Sequence, residues 1–456
     1  MNSVVQFYRD PQDGVVEPRE FRVFNDRSMD RIAALNRLPE AMRFEMAVVA
    51  SVLPFRVNDY VIDELIDWER VPDDPMFQLT FPQRDMLAPE AFERMAALHR
   101  RGADRAEIQA LARELREALN PHPAGQIELN RPSEDAGEAI DGLQHKYRET
   151  VLFFPGQGQT CHSYCTFCFR WAQFVGDKAL RIASTDAGML HDYLRGHPEI
   201  SDLLMTGGDP MVMKTKHLKD YLEALLEPEL AHVQTIRIGT KALTFWPYRF
   251  VTDSDADDLL RLLERLAEAG KHVALMAHYN HPNELRTPIA HEAIRRVRDT
   301  GAEIRAQGPL LRHINDQPAA WADLWREQVR LGIVPYYMFV ERDTGARRYF
   351  EVPLARAWEI YREAMQQVSG LGRTARGPSM SAEPGKVEIQ GVAEIHGEKV
   401  FVLRFIQARN PDWVQRPFFA RYDEQATWLD QLEPAFGEER FFFENELAAM
   451  KAESGH

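Results

Sequence analysis

The sequence predicts an α/β protein: a partial (βα)6 barrel preceded by a helical arm and followed by a β-rich extension. Three observations carry this. Six short apolar runs recur between residues 151 and 340, at roughly thirty-residue spacing. Amphipathic stretches of helical period fill the gaps between them. All three cysteines of the 456-residue chain, Cys161, Cys165 and Cys168, fall directly after the first run.

Taken in order, residues 1–142 read as a helical arm and a linker. RSMDRIAALNRLPEAMRFEMAVVASVL and PEAFERMAALHRRGADRAEIQALARELREAL place apolar residues three and four apart, so they are expected to be helices that cover the barrel. DDPMFQLTFPQRDML between them is expected to be extended and rich in turns, and 120–142 to be a linker. The barrel is expected over 143–370. Its strands are VLFF (151–154), DLLM (202–205), TIRIG (235–239), HVALMA (272–277), EIRAQ (303–307) and VPYYMFV (334–340). Helices are expected near 185–196, 215–226, 254–269, 286–299, 317–331 and 353–368. Parallel strands joined by helices close into a barrel whose active site lies at the C-terminal strand ends. The last segment, 371–456, contains KVEIQGVAEIHGEKVFVLRF, which alternates around a turn like a β-hairpin. Its aromatic-rich tail (RPFFARYD, RFFFENEL) is expected to pack on the body and to contribute to an oligomer contact.

A balance of 55 Lys+Arg against 70 Asp+Glu gives a net charge of −15, which argues against non-specific nucleic-acid binding. No apolar run reaches membrane-spanning length, and the first residues lack a secretory pattern. Three clustered cysteines are not a disulfide framework. They fit a reducing compartment, most simply the cytoplasm.

The cysteines are spaced C-x3-C-x2-C in TCHSYCTFCFRW. Tetrahedral zinc would need a fourth ligand, His162 or a distant residue. A cubic iron–sulfur cluster on three thiolates keeps one iron open to a small molecule. This spacing, with Phe167 before the third cysteine, resembles the radical S-adenosylmethionine (SAM) superfamily. The resemblance implies a [4Fe–4S] cluster on Cys161, Cys165 and Cys168 that binds SAM and cleaves it to a 5′-deoxyadenosyl radical. The bland reading is three thiols in a packed loop, or a structural metal site in a non-catalytic protein.

Over about residues 70–370 the chain further resembles the lysine 2,3-aminomutase family. GLQHKYRETVLFF, DLLMTGGDPM, IRIGTKAL, HYNHPNE, QGPLLRHIND and VPYYMF follow in that family's order. The resemblance places Gly207, Gly208, Asp209, His278 and Gln307 around SAM. Glycine suits close backbone approach to a ligand. Alone, the GGD loop would be a turn, His278 a core residue, and Asn280 and His281 loop caps. Arg170 matches the position that holds the substrate carboxylate, for which a planar fork is suited. Asp316 matches an aspartate that binds a substrate ammonium, or else caps the following helix. Lys146 and Arg148 are candidates for a cofactor phosphate.

The family also carries pyridoxal 5′-phosphate (PLP) on a lysine after a glycine run. Here that region reads SGLGRTARGPSMSAEPGKVEIQG, without the run and without a second aspartate. Either Lys386 is the PLP-bearing lysine or the lysine-bearing loop is deleted and Lys386 merely opens a hairpin. With PLP, the resemblance implies a 1,2-amino shift on an amino acid, a basic one if Asp316 holds an ammonium. Without PLP it implies an epimerase- or dehydrogenase-type hydrogen abstraction. The family also implies a flavodoxin- or ferredoxin-type electron donor and a homo-oligomer, with no membrane or nucleic-acid partner.

Overall fold

The computed structural model describes residues 17–454 except 128, 134–138 and 177–179. Part of the expected arm (1–16) and part of the expected linker lie outside the described residues.

The arm packs around a buried cluster that it shares with barrel residues such as Phe167, Trp171 and Trp246. Strands β1 (Val23–Asn25) and β2 (Arg56–Asn58) pair antiparallel, and helices α1 (Glu40–Ala50), α2 (Pro75–Thr80), α3 (Pro89–Arg100) and α4 (Arg105–Glu117) pack with them. Helix α2 corrects the expectation of an extended segment. The Asp74 side chain accepts from Met76 N and Phe77 N, and Pro75 occupies the first helical position. Capping and a preset φ start a helix even where only six residues follow.

The barrel strands form where expected. Strand β3 (Leu143–Tyr147) precedes β4 (Thr150–Phe153) as an antiparallel edge. Then come α5 (Ala187–Gly196), β5 (Asp202–Met205), α6 (Thr215–Leu222), β6 (Thr235–Thr240), the short α7 (Ala242–Phe245), α8 (Ala256–Glu268) and β7 (His272–His278). They are followed by α9 (Pro288–Asp299), β8 (Glu303–Leu310), α10 (Pro318–Arg330), β9 (Val334–Val340), the short α11 (Arg347–Phe350) and α12 (Leu354–Gln366). Strands β4 to β9 are parallel neighbours in sequence order, each followed by a helix on the outside. Their helix-facing leucines, isoleucines and valines, with the helix faces, form one buried cluster, and the alternate residues, such as Leu152, Leu204 and Met276, face the interior.

A seventh parallel strand, β10 (Arg376–Ser381), was not expected. It adds to β9, and β11 (Gly385–Ile395), β12 (Glu398–Ala408) and β13 (Pro417–Arg421) continue antiparallel, so a single sheet of eleven strands runs from β3 to β13. The expected hairpin is β11–β12. In the tail, Phe441 and Phe443 pack on Phe405 and Phe418 before α13 (Glu444–Ser454).

The two flanks of the sheet meet across the barrel interior. Lys146 Nζ on β3 donates to the Ala382 carbonyl between β10 and β11 (2.6 Å). Arg409, just past β12, donates to Asn130 Oδ1 (2.5 Å) and to the Glu383 carbonyl (2.8 Å). These bonds close one side of the cavity described next. No described helix is long and apolar enough to cross a membrane.

Candidate active site

Cys161, Cys165 and Cys168 occupy the loop after β4, and all three line one interior cavity of about 330 Å³. Cavities of roughly 300–1,000 Å³ are typical of small-molecule sites. The thiols are free of disulfides. The loop is held from the arm, which therefore does more than cover the barrel. Tyr164 N donates to the Arg56 carbonyl (2.7 Å) and Thr166 N to the Leu79 carbonyl (2.9 Å). Asn58, fully buried at the end of β2, gives its backbone N–H to Ser163 Oγ (3.0 Å) and its side-chain amide to the carbonyls of His162 (3.3 Å) and Phe245 (2.7 Å).

His162 is not brought to the thiols' cavity. Its ring stands edge-on to Phe21, and burial drives its pKa down to about 3, so it is neutral. Among the described residues no three His, Cys, Asp or Glu side chains converge on one ion position. Three thiols on one wall without a fourth ligand do not suit tetrahedral zinc, and they do suit a multi-iron cluster held by thiolates. Burial raises all three thiol pKa values, with Asp209 and the other two cysteines adding at Cys161. A bound metal would reverse this by stabilising the thiolates.

The GGD loop after β5 also lines the cavity, and its glycines sit tightly against the segment that enters the cysteine loop. A Cβ on Gly208 would lie 2.4 Å from the Thr160 carbonyl oxygen and 2.5 Å from Thr160 N, both backbone atoms of the segment entering the cysteine loop. At Gly207, φ is +126° and a Cβ would meet the Gln159 amide at 2.2 Å. Asp209 is a strut. Its carboxylate accepts from Met211 N (2.9 Å), Thr240 Oγ1 (2.9 Å) and Lys241 N (2.8 Å), tying the loop to the end of β6. No oxygen of it is left without a donor.

His278 at the end of β7 lines the cavity and stacks on Phe167, centroids 5.6 Å apart at 21°. Burial, then the Lys241 ammonium, lower its pKa well below the usual value, so the ring is neutral, and its Nδ1 is buried without a partner. Gln307, opposite it on β8, lines the same space. Asn280 and His281 are loop groups. Asn280 Oδ1 accepts from Lys241 Nζ (3.0 Å), and His281 caps the turn at Pro282–Leu285.

Arg170 lines the cavity with no acceptor; its guanidinium lies over Phe154 (4.5 Å) and Phe169 (4.9 Å). Burial lowers its pKa to about 10, leaving it charged at neutral pH. Lys386 opens β11, where that strand turns back from β10, and enters the same cavity. Its Nζ donates to Gln407 Oε1 (3.1 Å) and lies 4.3 Å from the centre of the Tyr337 ring. Burial, then Arg237 and Arg376, lower the amine's pKa to about 7. An amine so placed is a nucleophile near neutrality. Lys146 lines this space too, whereas Arg148 is exposed and outside it.

At Asp316 the expected helix cap is corrected. Asp316 is not among the residues that line the cavity, and Gln317 rather than Asp316 is the N-cap residue of α10. Reasoning from the sequence also missed Lys241 and Arg342, which follow β6 and β9 directly and line the cavity. The strand-end rule, applied to every strand, would have found both.

A protein of Aquifex aeolicus described as "Putative L-lysine 2,3-aminomutase" is 31% identical over 397 residues, spanning 87% of this chain and 92% of that one. The chain belongs to the lysine 2,3-aminomutase family of radical SAM enzymes. L-lysine 2,3-aminomutases of Acetoanaerobium sticklandii and Clostridium subterminale are 28% and 29% identical over 255 and 254 residues, covering 58% and 57% of their lengths. No protein-family model matches the chain. A solved radical SAM methyltransferase from Sphaerobacter thermophilus overlaps 61% of this chain and 91% of its own, with TM-score 0.33 and 14% identity; the family assignment rests on the sequence relatives. Membership in the lysine 2,3-aminomutase family implies a [4Fe–4S] cluster, SAM, an amino-acid substrate and a reductant.

Proposed function

We propose that the protein is an amino-acid 2,3-aminomutase in which Cys161, Cys165 and Cys168 hold the cluster and Lys386 carries PLP. The observation behind this is that the Lys386 amine and the three thiols line one cavity. Bound there, the cluster and SAM would supply hydrogen-atom abstraction from the substrate, and PLP a conjugated system that eases migration of its amino group.

The chain's own residues divide the remaining work. Arg170 offers a fork without an acceptor to the substrate α-carboxylate. Lys146 offers an amine donor for a phosphate. Gln407 and the Tyr337 face orient the Lys386 amine. Phe167, His278 and Gln307 line the SAM side, and the Asp209 strut fixes the GGD loop there. The arm keeps water from the cysteine loop. A reactive radical needs such exclusion.

The test is reduction of the anaerobically reconstituted, PLP-treated protein with borohydride, followed by peptide mapping. A pyridoxyl group on Lys386 is expected. No adduct on any lysine, with the cluster intact, would replace this reading with PLP-independent hydrogen abstraction.

A further inference from the structure

The cavity is lined by more basic than acidic side chains. Lys146, Arg170, Arg237, Lys241, Arg342 and Lys386 line it, against the carboxyl groups of Asp209 and Glu341. Most of these charges are already satisfied. Arg237 forms a two-point pair with Asp202, and Lys241 Nζ meets Glu284 Oε1 at 2.6 Å. Lys146 and Lys386 donate to Ala382 O and Gln407 Oε1. Asp209 is saturated by three donors.

Two guanidiniums remain. Arg170 and Arg342 flank the same Phe169 ring, their central carbons 4.9 and 5.1 Å from its centre. Among the described residues neither has a hydrogen-bond acceptor, and Arg342 Nε is buried without a partner. A buried fork without an acceptor is costly unless a ligand supplies one. Resting on the amino-acid isomerase reading, Arg170 takes the α-carboxylate. Arg342 then calls for a second anion in the same molecule.

We infer that the substrate side chain ends in a carboxylate held by Arg342, so that the substrate is an acidic amino acid of the length of aspartate or glutamate. The Glu341 carboxyl group on the wall, whose buried Oε1 has no partner among the described residues, does not oppose this. Burial raises the Glu341 pKa well above the usual carboxylate range, which favours its neutral form beside an anion. Asp316, the acid expected to hold a substrate ammonium, is not among the residues that line the cavity.

The test uses the full chain, reconstituted anaerobically with iron, sulfide and PLP. Amino-acid-dependent release of 5′-deoxyadenosine from SAM is measured with L-glutamate, L-aspartate, L-glutamine and L-lysine, for wild type, Arg342→Gln and Arg342→Lys. The expected result is that glutamate or aspartate stimulates release and exceeds glutamine by about tenfold or more in kcat/KM. Arg342→Gln should collapse that ratio towards one, chiefly through KM, and Arg342→Lys should restore part of it. Stimulation by lysine and not by the acids would overturn the inference while leaving the isomerase reading standing. Loss of bound PLP in Arg342→Gln with an unchanged acid-to-amide ratio would also overturn it, by placing the fork on the cofactor phosphate. Stimulation by no amino acid would overturn the isomerase reading itself, and this inference with it.

Discussion

Glu284 has no solvent exposure, yet its carboxylate accepts from Lys241 Nζ (2.6 Å), Asn280 N and His281 N (3.0 Å). Lys241 Nζ in turn reaches the His278 carbonyl (3.1 Å) and Asn280 Oδ1 (3.0 Å), and its backbone N–H holds Asp209. One buried ion pair thus joins the end of β6, the end of β7 and the GGD loop. In Glu284→Gln the shape is kept but a buried ammonium loses its counter-charge. Removing one partner of a buried pair costs about 3–5 kcal/mol. The amide must also turn one oxygen towards three donors, which forfeits further hydrogen bonding. We expect Glu284→Gln to lower stability by about 3–5 kcal/mol in urea unfolding under argon, and to weaken SAM binding because His278 and Asp209 lose their common anchor. Lys241→Met combined with Glu284→Gln should be less destabilised than the sum of the two single variants, since the orphaned charge is gone. A loss under about 1 kcal/mol for Glu284→Gln, with additive singles, would refute the claim that the pair organises the site.

Three further outcomes are expected. Asn58→Ala strips partners from the His162 and Phe245 carbonyls and from Val61 N, at about 1–3 kcal/mol for each buried group left unpaired; it should lower the iron bound after reconstitution, and a full iron content with unchanged melting would show that the arm does not hold the cysteine loop. Gly208→Ala must displace Thr160 backbone, so it should cost about 1–3 kcal/mol and weaken SAM affinity by calorimetry; wild-type affinity would mean that the loop can yield. Capture of PLP by Lys386 needs the neutral amine, and because the amine's pKa is lowered to about 7, the borohydride-trapped yield at early times should fall about tenfold per pH unit below 7 and level off above it. A profile that climbs as far as about pH 10 would mark an ordinary surface amine.

Much of the fold was legible because the barrel strands are buried on both faces and so read as continuous apolar runs with turn residues between. DLLM and VPYYMFV match β5 and β9 residue for residue. Strand β10 was not legible. RGPSMS has glycine and proline and no apolar run, and pairing with β9 and β11 makes it a strand. Helix α2 carried its start signal in Asp74-Pro75, but six residues are too few for a periodicity to register. At the site, motif order identified the cysteine loop, the GGD loop, Arg170 and Lys386 as candidates, and all of them line one cavity. Side-chain direction was the part that order could not supply. Asp316 lies in a matching motif yet is not among the residues that line the cavity, while Arg342 lies outside any motif and lines it. Asn58 was invisible for a different reason, since its partners are 104 and 187 residues distant in sequence.

The central claim is that three thiolates hold a cubic cluster with one iron open to SAM. Electron paramagnetic resonance of the anaerobically reconstituted, dithionite-reduced protein, recorded with and without SAM, tests it most directly. The account predicts a reduced [4Fe–4S] signal whose shape changes when SAM binds. A reconstituted protein without such a signal, or with one indifferent to SAM, would contradict it.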